Sequence, residues 1–234
     1  MKKQKSFLYF DFIILGLLGL CLLTGTILLY TDIDAYRFFV DEDSIVEWIT
    51  VLALLTCSAL SITRFFRLKK EKKKIFLICL LLTALVCFFG AGEELSWGQR
   101  IFKIQSGDFF VKHNTQGETN IHNLVFGGLR INKLIFSLLL GICVFLFLFV
   151  LPVLYRKNRK IKELVQMLAV PVPRGYQLIA YVVLFLVIGL IHDPRKWELL
   201  EMGGALLFLS IIQNPLNRDI FSSGGKTLTE ESPG

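Results

Sequence analysis

The sequence predicts an all-α fold, a polytopic bundle of about six transmembrane helices, on three observations. Hydrophobic residues make up 54% of the 234-residue chain, and mean hydropathy is +0.60. They come in long blocks, as an ~30 Å hydrocarbon core asks of helices ~17 to 25 residues long. The 26 lysines and arginines gather mainly between alternate blocks instead of spreading along the chain.

The first block, Phe7 to Tyr30, follows MKKQK. It is too long for a secretory signal core and no small-residue cleavage site follows it, so it stays as an anchor. The second, Ile45 to Phe66, opens from DEDSIVEW. Asp43 or Ser44 suits its N-cap, and Asp41, Glu42 and Asp43 suit the positive end of a helix dipole. Glu47 lies ~6 Å into this helix, beside Trp48, an aromatic of the interfacial kind. The third block, Ile75 to Gly92, runs straight into two adjacent glutamates. The fourth is Leu134 to Tyr155, the fifth Tyr176 to Ile191 and the sixth Trp197 to Ile212. Asp193 and Pro194 give an N-cap and N1 signature ahead of the sixth, where Gly203 and Gly204 allow a neighbouring helix to come close.

Residues 1–214 thus read as one transmembrane domain with an outer-face loop at 102–131, and 215–234 as a disordered cytoplasmic tail. Cys21, Cys57, Cys79, Cys87 and Cys143 fall inside the blocks without metal-type spacing, as packed free thiols do. The basic stretches are the N-terminus, RLKKEKKK at 67–74, RKNRKIK at 156–162 and the tail. The positive-inside rule places them, and both termini, in the cytoplasm. The net charge of +7 is then a matter of topology, nucleic acid drops out as a partner, and membrane lipids take its place.

With this orientation the carboxylates collect on the outer side. Glu93 and Glu94 emerge from the third helix after ~27 Å of apolar rise in GAGEELSWGQRI. A continuing helix would put Glu93, Trp97 and Arg100 on one face with Ser96 beside them and Gln99 next in line. The outer loop then reads KHNTQGETNIHN, in which Asn114, Gln116, Glu118, Asn120 and His122 recur at every second position. An extended backbone would line all five on one side, with Asn123 following; alternatively Thr119 or Asn120 caps a short helix. In the last hairpin His192 precedes Glu198 and Glu201, which at i and i+3 share a helix face. Glu47, Glu93, Glu94, Glu118, His122, His192, Glu198 and Glu201 come from four segments at one predicted depth, and charges at membrane depth are commonly functional.

The succession GEELSWGQR, NTQGETNIHNL and a glutamate-rich last helix resembles a pattern found in bacterial polytopic membrane proteins, to which no activity is attached. It spans most of the chain and implies a bacterial plasma-membrane location. The glutamate pair also resembles the EExxxR opening of CAAX-type membrane proteases, but here the spacing is EExxxxxR, and no FxxxH or HxxxN element surrounds His122 or His192. The zinc-dependent alkaline-ceramidase type is a weaker likeness, since its HxxxH pair is missing and it has seven helices.

Carboxylates with neutral imidazoles form a reasonable first shell for a divalent metal ion, here His122, His192, Glu93 and Glu201. A metal-assisted hydrolase or transferase for a lipid or lipid-linked substrate follows as an expectation. Its catalytic set is Glu93, Glu94, Arg100, His122, Glu198 and Glu201; its substrate-binding set is Ser96, Trp97, Gln99, Asn114, Gln116, Glu118, Asn120 and Asn123. A non-catalytic scaffold or binding module is the first alternative, and a small cation- or proton-coupled transporter the second. Transport is disfavoured because Asp11 is the one acidic residue near the inner ends of the helices that might continue a path.

Overall fold

The computed structural model describes residues 2–41, 43–121, 123–126, 129–130 and 139–223. Their regular structure is helical apart from a short antiparallel ladder. It pairs Val125–Phe126 (β1) with Leu129–Arg130 (β2), Val125 opposite Arg130, and an isolated bridge joins Asn114 to Leu124. Among the described residues, four helical stretches are long and apolar enough to cross a membrane: Tyr9–Thr31, Ile33–Leu68, Lys74–Glu94 and Leu140–Lys157.

The chain opens with α1 (Lys2–Thr31) and turns at once into α2 (Ile33–Val40), a short amphipathic helix absent from the sequence-based expectation. Asp32 caps α2 by accepting from the Ala35 amide at 3.0 Å. Ser44, one of the two expected caps, does the same for α3 (Ile45–Leu68) at the Glu47 amide. The short link from α3 to α4 (Lys74–Glu94) makes them neighbours, and the Ser58 hydroxyl ties them by donating to the Ala84 carbonyl at 2.9 Å. After the loop come α7 (Leu140–Phe145), a wider π-type turn at Leu146–Val150 and α8 (Leu151–Lys157). Pro152 explains the wide turn, because its ring cannot sit against the Leu148 carbonyl of a regular helix. The amphipathic α9 (Arg159–Met167), α10 (Gly175–Leu190) and α11 (Lys196–Gln213) follow.

The fifth expected block is α10, apolar apart from Gln177 in its first turn but only 16 residues long. The sixth is α11, which carries Lys196, Glu198 and Glu201 in its first turns yet sits deepest of all. Leu199, Met202, Leu206, Leu207 and Ile212 pack against Leu18 and Leu22 of α1, Ala53 and Cys57 of α3, and Leu184 and Ile188 of α10. A helix buried on all sides is the centre of a bundle, and neighbouring helices shield it from lipid. Gly203 permits this: a Cβ there would lie 2.6 Å from one Leu184 methyl and 3.2 Å from Leu18. The outer helices instead expose large apolar side chains, Phe12 and Leu23 on α1, Leu85 and Val86 on α4, Phe145 on α7. A surface of that size and character suits lipid. All five cysteines are free thiols.

Two local expectations fail. Asp193 does not cap α11: it accepts from the Arg195 amide at 2.8 Å in a turn of its own, and α11 starts at Lys196. The tail does not leave the fold at 215. Asn217 brackets the Val170–Val172 strand of coil, accepting from the Val172 amide at 3.0 Å and donating to the Val170 carbonyl at 2.9 Å. Ile220 and Phe221 then bury themselves against Leu68, Phe76 and Leu80. Three arginines close this end of the bundle by donating to carbonyls that a helix terminus leaves without partners. Arg64 reaches Ile212 at 2.6 Å, Arg174 reaches Asn214 and Pro215 at 2.9 Å, and Arg67 reaches Phe221 at 2.7 Å.

Candidate functional site

At the other end of the bundle, α4 stops at Glu94 and the backbone turns left-handed at Ser96 (φ 45), Trp97 (φ 56) and Gly98 (φ 78) before α5 (Gln99–Phe102). Non-glycine residues pay ~1 kcal/mol or more for this conformation, so the turn persists because its surroundings hold it. The expected continuous helix with Glu93, Trp97 and Arg100 on one face is therefore corrected. Trp97 instead folds back on α4, donating its indole N–H to Glu93 at 2.9 Å and meeting Phe89 edge-on at 5.3 Å. Gly92 makes room, since a Cβ there would come within 2.8 Å of the Trp97 ring.

The turn serves as a clasp for the loop. Glu93 is buried and accepts, on its second oxygen, the Ile121 amide at 2.6 Å. Ser96 donates to Glu118 through a short hydrogen bond and accepts from Asn120 at 2.9 Å. Gln99 accepts the Thr119 amide at 2.7 Å and donates to Ser106 at 2.6 Å. Arg100 joins three elements: its Nη2 lies 2.5 Å from Glu47 of α3, its Nε 3.2 Å from Asp43 ahead of α3, and its Nη1 3.7 Å from Glu118 of the loop. It also donates to the Glu94 carbonyl at 3.1 Å.

The loop itself is not extended. After α6 (Asp108–His113) the Asn114 side chain closes a turn, accepting from the Gln116 amide at 2.8 Å and donating to the Asn120 side chain at 2.8 Å. Asn114 and Asn120 are buried, whereas Gln116 is exposed and pairs with Asn123 at 2.5 Å. The alternation of polar residues thus marks a series of side-chain-closed turns with Gly117 at φ 70, and no helix begins at Thr119 or Asn120.

Of the expected residues, Glu93, Ser96, Trp97, Gln99, Arg100, Asn114, Gln116, Glu118, Asn120 and Asn123 thus belong to one clasp and its loop. Glu94 differs. Half-buried, it faces Glu198, Glu47, Glu93 and Arg100, yet its carboxylate accepts no hydrogen bond among the described residues. Glu198 is half-buried on α11; Glu201 and His192 are exposed. His122 lies outside the described residues. Of the described members of the expected metal set, Glu93 is bonded to Trp97 and Ile121, whereas His192 and Glu201 are exposed. No group of three or more His, Cys, Asp or Glu able to hold a metal ion occurs among the described residues.

Sequence inspection missed Asp43, Ser106 and Thr119 as partners in the clasp. It also missed a second polar cluster near the arginine-closed end. There the buried Asp11 accepts from Ser210 at 2.8 Å, from Asn214 at 2.6 Å and, through a short bond, from Tyr176, while Gln177 donates to Ser210 at 3.0 Å. The available signal was a polar residue recurring on the turns of α1, α10 and α11 nearest the arginine-closed end. Comparison with known protein families, curated proteins and solved structures finds no match to this chain.

Proposed function

We propose that this chain is a six-span protein of a bacterial plasma membrane, both termini cytoplasmic, whose outer face binds the polar headgroup of a lipid or lipid-linked substrate. Glu94 is the carboxylate that acts on it, in a hydrolysis or transfer reaction. The observation that carries this proposal is the uneven use of the glutamates. Glu93, Glu47 and Glu118 are all spent on internal hydrogen bonds and ion pairs, whereas Glu94, in the same cluster of charges, accepts no hydrogen bond on its carboxylate among the described residues. A half-buried carboxylate at membrane depth that accepts no hydrogen bond from its own fold is one that function has to explain.

Supply of the substrate is consistent with the loop's surface. Phe102, Ile104, Phe109 and Val111 are exposed beside the clasp, which suits a lid resting on the headgroup layer and admitting a ligand sideways from the leaflet. A second possibility, a non-catalytic scaffold, draws support from the completeness of the clasp: each of its other side chains already has an internal partner. Transport draws less, because the Asp11 cluster and the carboxylates around Glu94 are separated by the apolar core around Leu18, Leu184 and Met202.

The test compares two neighbours. Purified protein in lipid nanodiscs is treated with a hydrophobic carbodiimide, and modified carboxyls are mapped by mass spectrometry. Glu94 should be labelled in preference to Glu93, Glu47 and Glu118. Glu94→Gln should keep the parent's melting temperature, whereas Glu93→Gln weakens two charge-assisted hydrogen bonds at a cost of ~1.5 to 3 kcal/mol. Equal destabilisation by both variants would make Glu94 a structural residue and leave the scaffold standing.

A further inference from the structure

At the arginine-closed end, a cavity of about 340 Å³ lies between the 140–157 helix and the start of α10. Its lining combines the apolar Leu148, Phe149, Val153 and Leu178 with the basic Arg156, Lys157 and Arg174, and includes no acidic residue. Neither Arg156 nor Lys157 pairs with a carboxylate among the described residues; the neighbouring Glu163 is taken by Arg159 at 2.8 Å. Arg174 is fixed by its bonds to the Asn214 and Pro215 carbonyls, which use Nε and Nη2 and leave Nη1 without an acceptor among the described residues. The wall carrying Pro173 and Arg174 is itself anchored through Val172 to Asn217 and Leu216.

We propose that this cleft is a binding site for one anionic phospholipid of the inner leaflet, its phosphate between Arg156, Lys157 and Arg174 and its acyl chain against Leu148, Phe149, Val153 and Leu178. Three clustered cations without counter-charges call for an anion, and the apolar wall beside them fits a chain that a free phosphate lacks. A diffuse attraction of basic loops to the membrane would need no cavity, no apolar wall and no anchored arginine. The site is at the opposite end of the bundle from Glu94 and does not depend on what Glu94 does.

Native mass spectrometry of the delipidated full-length chain in a zwitterionic detergent tests it, with added phosphatidylglycerol or phosphatidylcholine as the probe. One phosphatidylglycerol should bind roughly tenfold more tightly than phosphatidylcholine, and R156Q/K157Q should remove about tenfold of that affinity, at about one decade or less per basic residue. K70Q/K73Q, which loses the same charge elsewhere, should bind as the parent does, and millimolar inorganic phosphate should not displace the lipid. Arg174 is left intact in these variants because it also closes α11. Equal binding of the two lipids, equal losses in the two variants, or displacement by inorganic phosphate would each overturn the proposal.

Discussion

Gly92 to Arg100 shows how much one short motif can specify. Gly92 makes space for the Trp97 ring, Glu93 joins that indole to the Ile121 amide, Gly98 accepts a left-handed backbone, and Gln99 and Arg100 hold the loop and α3. Arg100 is the member whose loss should be felt most. Its side chain is 18% exposed and that of its partner Glu47 7%, so the pair is largely shielded from water. Arg100→Gln takes the counter-charge from Glu47, which keeps the Asp43 amide at 2.8 Å, and loosens Glu118; removal of one partner from a largely shielded pair costs ~3 to 5 kcal/mol. The melting temperature in detergent should fall by several degrees. Arg100→Lys should recover only part of the loss, because an ammonium cannot reach Asp43, Glu47 and Glu118 in the forked geometry of a guanidinium. A variant Arg100→Gln that melts with the parent would reduce the motif to an ordinary helix end. The residue types at this site were legible in the sequence, and so was the importance of Glu47. Their pairing was not, since Glu93 with Ile121 and Gln99 with Thr119 are side-chain-to-backbone bonds across 28 and 20 residues, which no periodicity encodes.

Among the elements, α11 decides the packing. Lipid imposes a composition on helices that face it, and α1, α3 and α4 could be read from that rule alone. The central helix escapes the rule because protein surrounds it, so its three charges at one end say nothing against burial. The glycine signal was nonetheless plain in the sequence, and Gly203 lies at the contact with Leu184 and Leu18. Gly203→Val should overpack this contact by ~1 to 3 kcal/mol. Combining it with Leu184→Ala should cost less than the sum of the two single changes, by ~1 kcal/mol of coupling. Additive melting shifts would mean that the helices do not meet there. The short α2 and α9 went unread for a different reason: a single amphipathic helix of eight or nine residues lies below the length at which an apolar stripe stands out from loop composition.

At the scale of the molecule, two polar ends are separated by one apolar core. One end is rich in carboxylates and closed by a loop; the other is rich in arginine and lysine and closed by the returning chain at 215–223. That asymmetry is what the distribution of charge in the sequence led one to expect, and it gives the carboxylates around Glu94 their proposed side of the membrane. Labelling with a membrane-impermeant maleimide measures this directly, in a chain whose five native cysteines have been replaced. Thr115→Cys, in the exposed part of the loop, should react in intact cells, and Asn158→Cys, between α8 and α9, should react only after the membrane is opened. Reaction of both positions from the same side, or of Asn158→Cys alone in intact cells, would contradict an outward-facing carboxylate cluster.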